Sequence, residues 1–440
     1  MEALRRGAHI PASLAHRLLA APDFGWLTMI ALIAAGLRVG WIAYVNVDPL
    51  DGRFDDSVFY YAAARFLASG DGYRVYYYET YTAAWPPGYP LFIAVPFVVF
   101  GQTLLAAKLP NVAFAVVSCL LTYAVGARVF GRRCGLLAAL VLALFPGQIY
   151  FSTLVMTETL FGTVFILTTL LLVWTIERTE ASRGQLLALG MLVGFAVLVR
   201  VEAMALVPAI LLLWRFVLPH WRQALRYGVV FVAGAALLPA AWTVRNYVRL
   251  GEFVPIREVA PGTAAYIFVP DYFERDRLFN PQHPRLSETL RPMLRHPWEM
   301  VPIQIEKLHQ LYDDDSDGVW WVQNNRPLLD AGEADRWSKL ASYFFFSVAA
   351  CAVPAMVYGL SRRDRRRFAL AYLVLVWTLV LTVPWPESRY HFPVVPILCV
   401  FAAATLIALW DEIPARLRKR AEQGTAARRA IPGEASSQEA

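Results

Sequence analysis

Residues 185–217 read QLLALGMLVGFAVLVRVEAMALVPAILLLWRFV, an apolar run interrupted near its middle by Arg200 and Glu202. As one helix at 1.5 Å per residue it would be about 50 Å long, too long for a single crossing of a ~30 Å hydrocarbon core and short for two full ones. The two charges resolve the ambiguity. A charge at the centre of a lipid-facing span is costly, so Arg200 and Glu202 mark the apex of a hairpin of two short helices.

On either side of this hairpin, apolar runs occupy about 24–45, 104–127, 135–151, 155–176, 225–243, 340–360, 368–384 and 390–410. Together they predict about ten transmembrane helices. Composition agrees: 58% of residues are hydrophobic and 17% charged, with mean hydropathy +0.44, against roughly 45–50% and 25% in soluble chains. The 440 residues therefore read as an all-α polytopic membrane protein rather than as two or three soluble domains. The four cysteines, Cys119, Cys134, Cys351 and Cys399, lie in or beside apolar runs, so no disulfide framework is expected.

The net charge of +7 is mostly arginine, and it sorts by membrane side. Arg5, Arg6 and Arg17 precede the first span. Arg128, Arg132 and Arg133, then Arg178 and Arg183, then Arg215, Arg222 and Arg226, then Arg362 to Arg367 fill every second loop. Basic loops stay cytoplasmic, so both termini are expected inside and no nucleic-acid partner is expected. The alternation holds only if the proline-rich run Pro87–Phe100 does not cross, which makes it an interfacial or re-entrant helix on the outer side. The first segment is not read as a cleaved signal, because Arg38 interrupts it and no small-residue cleavage site follows. The expected organisation is a cytoplasmic N-terminus (1–23), an N-terminal membrane bundle (24–243) with outer loop 46–103, a long outer loop (244–339), C-terminal membrane helices (340–410) and a cytoplasmic, partly disordered tail (411–440). The chain as given stops soon after its last span, and no separate outer domain for docking a large acceptor is expected.

The first outer loop carries Asp55 and Asp56 at the head of an amphipathic segment running to Gly70. One carboxylate suffices to cap a helix; the second, just outside a membrane, suits a general base acting on an incoming hydroxyl or amine. Glu158, in Met156-Thr157-Glu158-Thr159, opens a span at the same side, where it reads as a site carboxylate or as a solvated acid favoured by the helix dipole.

Asp56-x-x-x-Tyr60 leading to Gly70-x-Gly72-Tyr73 and Trp85-Pro86-Pro87-Gly88-Tyr89-Pro90 resembles the GT-C glycosyltransferases, relatives of protein O-mannosyltransferases and of the lipid A aminoarabinose transferase. Leu109-Pro110-Asn111, Phe130-Gly131-Arg132-Arg133, Thr243-Val244-Arg245-Asn246-Tyr247, Gly251-x-Phe253-Val254-Pro255 and Arg389-Tyr390 before Pro393 and Pro396 follow in the same order. The resemblance covers about residues 30–410. It implies a GT-C fold with an outer-face interfacial helical layer and an inverting transfer of sugar from a polyprenyl-phosphate donor to a glycan, lipid or protein acceptor on the outer face of the inner (plasma) membrane. It implies Asp56 as base, assisted by Asp55 or Glu158, with Tyr60, Asn246 and Tyr390 at the substrates.

A lipid-phosphate leaving group develops negative charge, and the planar fork of arginine suits phosphate. Arg245, Arg389 and Arg200 are the candidates; the alternative for the first two is snorkelling to the interface, and Glu202 is the simple partner for the third. Asp55 with Asp56 offers a divalent-ion site of the kind some oligosaccharyltransferases use, but the mannosyl- and aminoarabinosyl-type relatives imply no catalytic metal and no cofactor. Asp313-x-Asp315-x-Asp317-Gly318 opens like a calcium loop, yet Asn324 stands where the bidentate Glu belongs, so a solvated acidic turn is expected. After Pro255 the sequence departs from the family, Ile256-Arg257-Glu258 replacing a Gly-rich stretch. Alternatives to the transferase are a surface-polysaccharide ligase or polymerase, and a non-catalytic flippase or transporter of lipid-linked glycans. A transporter calls for broken helices and for charges at mid-membrane in both halves.

Overall fold

The computed structural model describes residues 23–50, 56–74, 82–178, 180–257, 298, 300–325, 327–361, 364–382 and 387–429. Helices α1 (Phe24–Tyr44), α2 (Asp56–Ala68), α3 (Gly88–Phe100), α4 (Leu104–Phe130), α5 (Arg132–Ala143), α6 (Pro146–Tyr150), α7 (Glu158–Glu177), α8 (Arg183–Val199), α9 (Leu206–Val217) and α10 (Trp221–Leu250) form the first part. Helices α11 (Met300–Tyr312), α12 (Asp317–Asn325), α13 (Ala331–Gly359), α14 (Arg365–Leu381) and α15 (Val395–Arg429) complete it, with 3₁₀ turns at Val201–Ala205 and Ser388–Val394. The fold is all-α.

Among the described residues six helical segments are long and apolar enough to cross a membrane, or seven if the bent pair Arg132–Ala143 and Pro146–Thr153 counts as one. The chain is a multi-pass membrane protein. The ten spans expected from the apolar runs are reached only by adding the shorter α8, α9 and α14. The run 135–151, expected as one span, is instead broken by a 55° bend. Phe145 is extended and Pro146 starts the second helix, because proline cannot continue the ladder of the first. The carbonyls freed at the break are met by Arg38, whose Nη1 donates to Ala143 O at 3.0 Å and whose side chain is buried. That arginine, which interrupts the first apolar run, thus caps α5 from inside the bundle.

The hairpin 185–217 forms as α8 and α9 around a charged apex. Its first limb packs backbone to backbone on α10: a Cβ on Gly190 would lie 2.1 Å from Phe231 O, and one on Gly194 2.4 Å from Ala235 O. Small residues at a membrane helix interface allow this approach, and it fixes the height at which Arg200 emerges. Gly88 works the same way at the other end, since its Cβ would lie 2.7 Å from Leu198 O. It seats α3 against the end of α8. At 13 residues, α3 is roughly 20 Å long, and it lies on α2 through edge contacts of Tyr60 with Tyr89 and Tyr61 with Phe97, with Trp85, just ahead of α3, stacked on Phe59 at 3.8 Å.

The basic loops gather at one end of the bundle. Arg132 pairs with Asp23, Arg128 and Arg366 with Glu177, Arg226 with Glu180 and Arg133 with Asp411. Glu177 closes α7 there; Glu158, which opens α7, stands at the opposite end, about 30 Å away along a helix of 20 residues.

Candidate active site

At that opposite end a small cavity of about 80 Å³ is lined by Asp56, Glu158, Arg200, Arg257, Arg389 and Tyr390, with Tyr60, Trp85 and Glu202 beside them. A larger apolar groove of about 740 Å³ between α9 and α10 has Arg215 as its one charged wall and offers no acid or base.

Asp56 is the first helical residue of α2, and residue 55, where the cap and the second acid are expected, lies outside the described residues. Asp56 Oδ1 accepts from Trp85 Nε1 at 3.2 Å, and Oδ2 lies 3.7 Å from Arg389 Nη2. Its side chain is 35% exposed, so its carboxylate remains open to the cavity. Tyr60, one turn on, is buried, and burial together with the nearby Asp56 charge holds its phenol well above the usual range. It stays a neutral hydroxyl.

Glu158 is not the solvated acid its position allows. Its side chain is 1% exposed and Oε1 accepts from Arg200 Nη1 at 3.0 Å and Arg389 Nη1 at 3.3 Å. Oε2 is buried without a hydrogen-bond partner. A buried carboxylate needs such partners, and here one acid ties the α8–α9 apex to the turn before α15. Arg200 also lies 3.7 Å from Glu202 and packs over the Tyr390 ring at 4.7 Å. Arg389 is 7% exposed, pairs with Glu387 at 2.6 Å and lies over Trp321 at 4.5 Å. It is no snorkelling arginine.

Arg245 and Asn246, expected at the substrates, are not brought into this cavity. Arg245 donates to Thr82 O at 2.9 Å and to Tyr73 O at 3.0 Å, and stacks on Trp242. Its fork ties α10 to Tyr73 and Thr82. Asn246 is buried and donates to Val254 O at 2.9 Å. Gly251, at φ 76°, turns the chain after α10, and Trp242 Nε1 and Thr243 Oγ1 hold the returning carbonyls of Ile256 and Pro255 at 2.7 and 2.6 Å. The residue delivered to the cavity by this return is Arg257, at the point where the sequence departs from the family pattern.

The acidic turn 313–317 is solvated only in part: Asp313 is exposed, but two of its acids are engaged inside. Asp315 is buried against His391, Nε2 to Oδ1 3.2 Å, and Asp317 Oδ2 accepts from the Arg389 backbone N–H at 2.6 Å. Burial pushes the Asp317 carboxyl up to about 6, with the Arg389 N–H pulling the other way. Among the described residues no group of three or more His, Cys, Asp or Glu side chains is arranged to hold a metal ion.

The all-helical membrane bundle has the fold of GT-C glycosyltransferases of known structure. Residues 84–244 match the family described as dolichyl-phosphate-mannose-protein mannosyltransferase. ArnT from Cupriavidus metallidurans, bound to undecaprenyl phosphate, superposes with TM-score 0.54 at 16% identity over 88% of this chain and 60% of that one. The Archaeoglobus fulgidus oligosaccharyltransferase, in complex with Zn and sulfate, gives 0.58 at 17% over 91% and 51%. AglB from the same organism, with an inhibitory peptide and a dolichol-phosphate, gives 0.56 at 15% over 94% and 53%. This chain thus spans between about half and three fifths of their lengths. No curated protein matches its sequence.

Proposed function

We propose that this protein is an inverting glycosyltransferase that moves a sugar from a polyprenyl-phosphate donor to a glycan, lipid or protein acceptor at the outer face of the plasma membrane. The observation that carries the reading is the division of labour among the acids. Glu158 is buried under two guanidiniums and is spent on them; Asp56 is partly exposed, faces the cavity and is steadied by Trp85. Asp56 is therefore the base. It takes the proton from the acceptor hydroxyl or amine as that atom attacks the anomeric carbon. The bond from that carbon to the phosphate oxygen breaks, the electron pair leaves with the polyprenyl phosphate, and a single displacement inverts the centre.

Arg200 and Arg389, joined by Arg257, meet the charge developing on the phosphate, and Glu158 holds two of them in place before the donor arrives. In this reading guanidiniums supply the positive charge and no resident metal is needed, so transfer persists in EDTA. Tyr390 and Tyr60 wall the sugar. Related polyprenyl or dolichol phosphates bound in the structurally similar proteins support this donor class. The gathering of acids and arginines at one end supports an enzyme over a flippase, which calls for charges at mid-membrane.

With the basic end cytoplasmic, the termini lie inside and the site outside. A single cysteine replacing Ser69 is then labelled by an impermeant reagent from outside and one replacing Ser361 is not; the reverse overturns the topology and the site's side. The functional test is mass spectrometry of surface glycolipids and glycoproteins from a deletion strain carrying wild type or Asp56→Asn. The reading requires a glycan that disappears on deletion and returns only with wild type. An unchanged glycan profile on deletion contradicts it.

A further inference from the structure

Arg389 sits in a 3₁₀ turn rather than in a regular helix, so its height at the cavity is set by whatever holds that turn. Two contacts from the acidic turn between α11 and α12 do so. Asp317 Oδ2 takes the backbone N–H of Arg389 itself, at 2.6 Å. Two residues on, His391 is fully buried between Leu311 O, 2.9 Å from Nδ1, and Asp315 Oδ1, 3.2 Å from Nε2. A backbone carbonyl only accepts, so Nδ1 carries a proton towards Leu311. The contact at Nε2 then needs a second proton, shared with the Asp315 carboxylate. His391 also stacks on Phe345 of α13 at 4.3 Å and near Tyr312 of α11 at 5.6 Å.

The far side of this pair is equally constrained. Asp315 Oδ2 is buried with no hydrogen-bond partner, and its carboxylate fills the space a side chain at residue 147 would need: a Cβ on Gly147 would fall 2.0 Å from it. The break between α5 and α6, with glycine after the proline, thus makes room for the acid. A buried carboxylate that keeps one oxygen unbonded is costly, and the bundle uses it to hold a turn whose neighbouring residue enters the cavity.

We propose that His391, Asp315 and Asp317 are positioning residues that set where Arg389 presents its guanidinium to the donor phosphate. This rests on the reading of Arg389 as a phosphate ligand. None of the three lines the cavity, so they act through Arg389 and not on the substrate.

The test uses the purified full chain in phosphatidylcholine nanodiscs, titrated with undecaprenyl phosphate as the probe shared by such donors. Arg389→Ala is expected to weaken binding about ten- to hundredfold. His391→Phe, Asp315→Asn and Asp317→Ala are each expected to weaken it about three- to tenfold, with Asp317→Asn, which keeps an acceptor for the Arg389 N–H, recovering part of the loss. Gly147→Ala, on another element, is expected to reproduce the Asp315 effect by displacing that carboxylate. In the Arg389→Ala background all of these losses should vanish, since residues acting through one group are not additive. A general loosening of the fold would weaken binding with or without Arg389. Losses that add to that of Arg389→Ala, or variants that bind as wild type while Arg389→Ala does not, overturn the inference. Wild-type binding by Arg389→Ala itself overturns instead the phosphate reading on which it rests. Should His391→Phe fail to yield folded protein, Asp317→Ala against Asp317→Asn gives the same decision.

Discussion

Asp56→Asn is the substitution that separates chemistry from structure at this site. The carboxylate oxygen that accepts from Trp85 Nε1 at 3.2 Å is replaced by an amide oxygen able to accept the same bond. What disappears is the base and the attraction to Arg389 Nη2 at 3.7 Å. With the Asp56 side chain 35% exposed, that attraction is screened and worth at most about 1 kcal/mol, so the melting temperature should move by only a few degrees. A positioned general base is worth roughly 10²–10⁴ in rate, or about 3–5 kcal/mol of barrier at ~1.4 kcal/mol per tenfold. The assay is sugar transfer in membrane vesicles from the deletion strain, normalised to the amount of variant in the membrane and read by mass spectrometry of the product. Binding of undecaprenyl phosphate, measured in parallel, should be unchanged or slightly tighter, because a negative charge near the phosphate has gone. A variant that transfers at the native rate refutes the general-base assignment. If Asp55→Asn is the dead variant instead, the base moves one residue; if both transfer normally, this carboxylate pair takes no proton.

Glu158→Gln removes the shared counter-charge of two buried arginines, a class of change that costs about 3–5 kcal/mol. A large drop in melting temperature is expected, and undecaprenyl phosphate should restore more of it than it adds to wild type, because phosphate supplies the missing charge; equal ligand shifts in both proteins would contradict this. Arg245→Lys should leave donor binding intact and lower the yield of folded protein, since its fork holds the carbonyls of Tyr73 and Thr82 and not the cavity; a tenfold loss in undecaprenyl phosphate affinity would return it to the phosphate site. As pH falls through about 6, Asp317 takes up a proton and becomes a neutral, weaker acceptor for the Arg389 N–H. Its folded pKa lies above the ordinary 3.8, so the folded state binds the proton more tightly and acidification from 7 to 5 removes no stability through this group. Undecaprenyl phosphate binding should nonetheless weaken about fivefold and converge on the value of Asp317→Asn, in a difference between the two proteins that cancels titration of the phosphate itself; parallel pH curves would remove Asp317 from the account.

The membrane fold was legible because bilayer crossing leaves a strong local signal. Arg200 and Glu202 within an apolar run fix the hairpin apex, and arginine in every second loop fixes which ends gather. The broken helix at 143–146 carried its sign in Pro146, but continuous hydropathy across it reads as one span. The site was legible in its residue types and less so in its partnerships. Glu158 meets Arg200 across 42 residues and Arg389 across 231, and His391 meets Asp315 across 76; no spacing rule reports such pairs. Arg245 lies apart from the cavity for a local reason. It stands near the end of α10, where a phosphate ligand is expected, but its fork reaches the carbonyls of Tyr73 and Thr82. Arg257 reaches the cavity only because Gly251 reverses the chain, and a loop arginine after an apolar helix carries no such mark.

Helix α7 shows why similar ion pairs at its two ends have different consequences. At one end Glu177 holds Arg128 and Arg366, whose side chains are 41% and 37% exposed; screened pairs of that kind contribute little to stability. On the proposed topology their effect lies in sidedness, because they belong to the basic loops expected to stay cytoplasmic. At the other end Glu158 holds Arg200 and Arg389 with all three side chains 12% exposed or less. There the same chemistry acts in a low-dielectric setting, where charges are costly to desolvate and, once fixed, need little reorganisation when a phosphate arrives. The bundle contributes that burial. Gly88 and Gly190 bring α3, α8 and α10 close enough to exclude water around an acid that hydropathy alone would place at the surface. The two ends of one helix thus carry similar pairs in different settings, and only the buried end gives its arginines the fixed geometry that the proposed phosphate site requires.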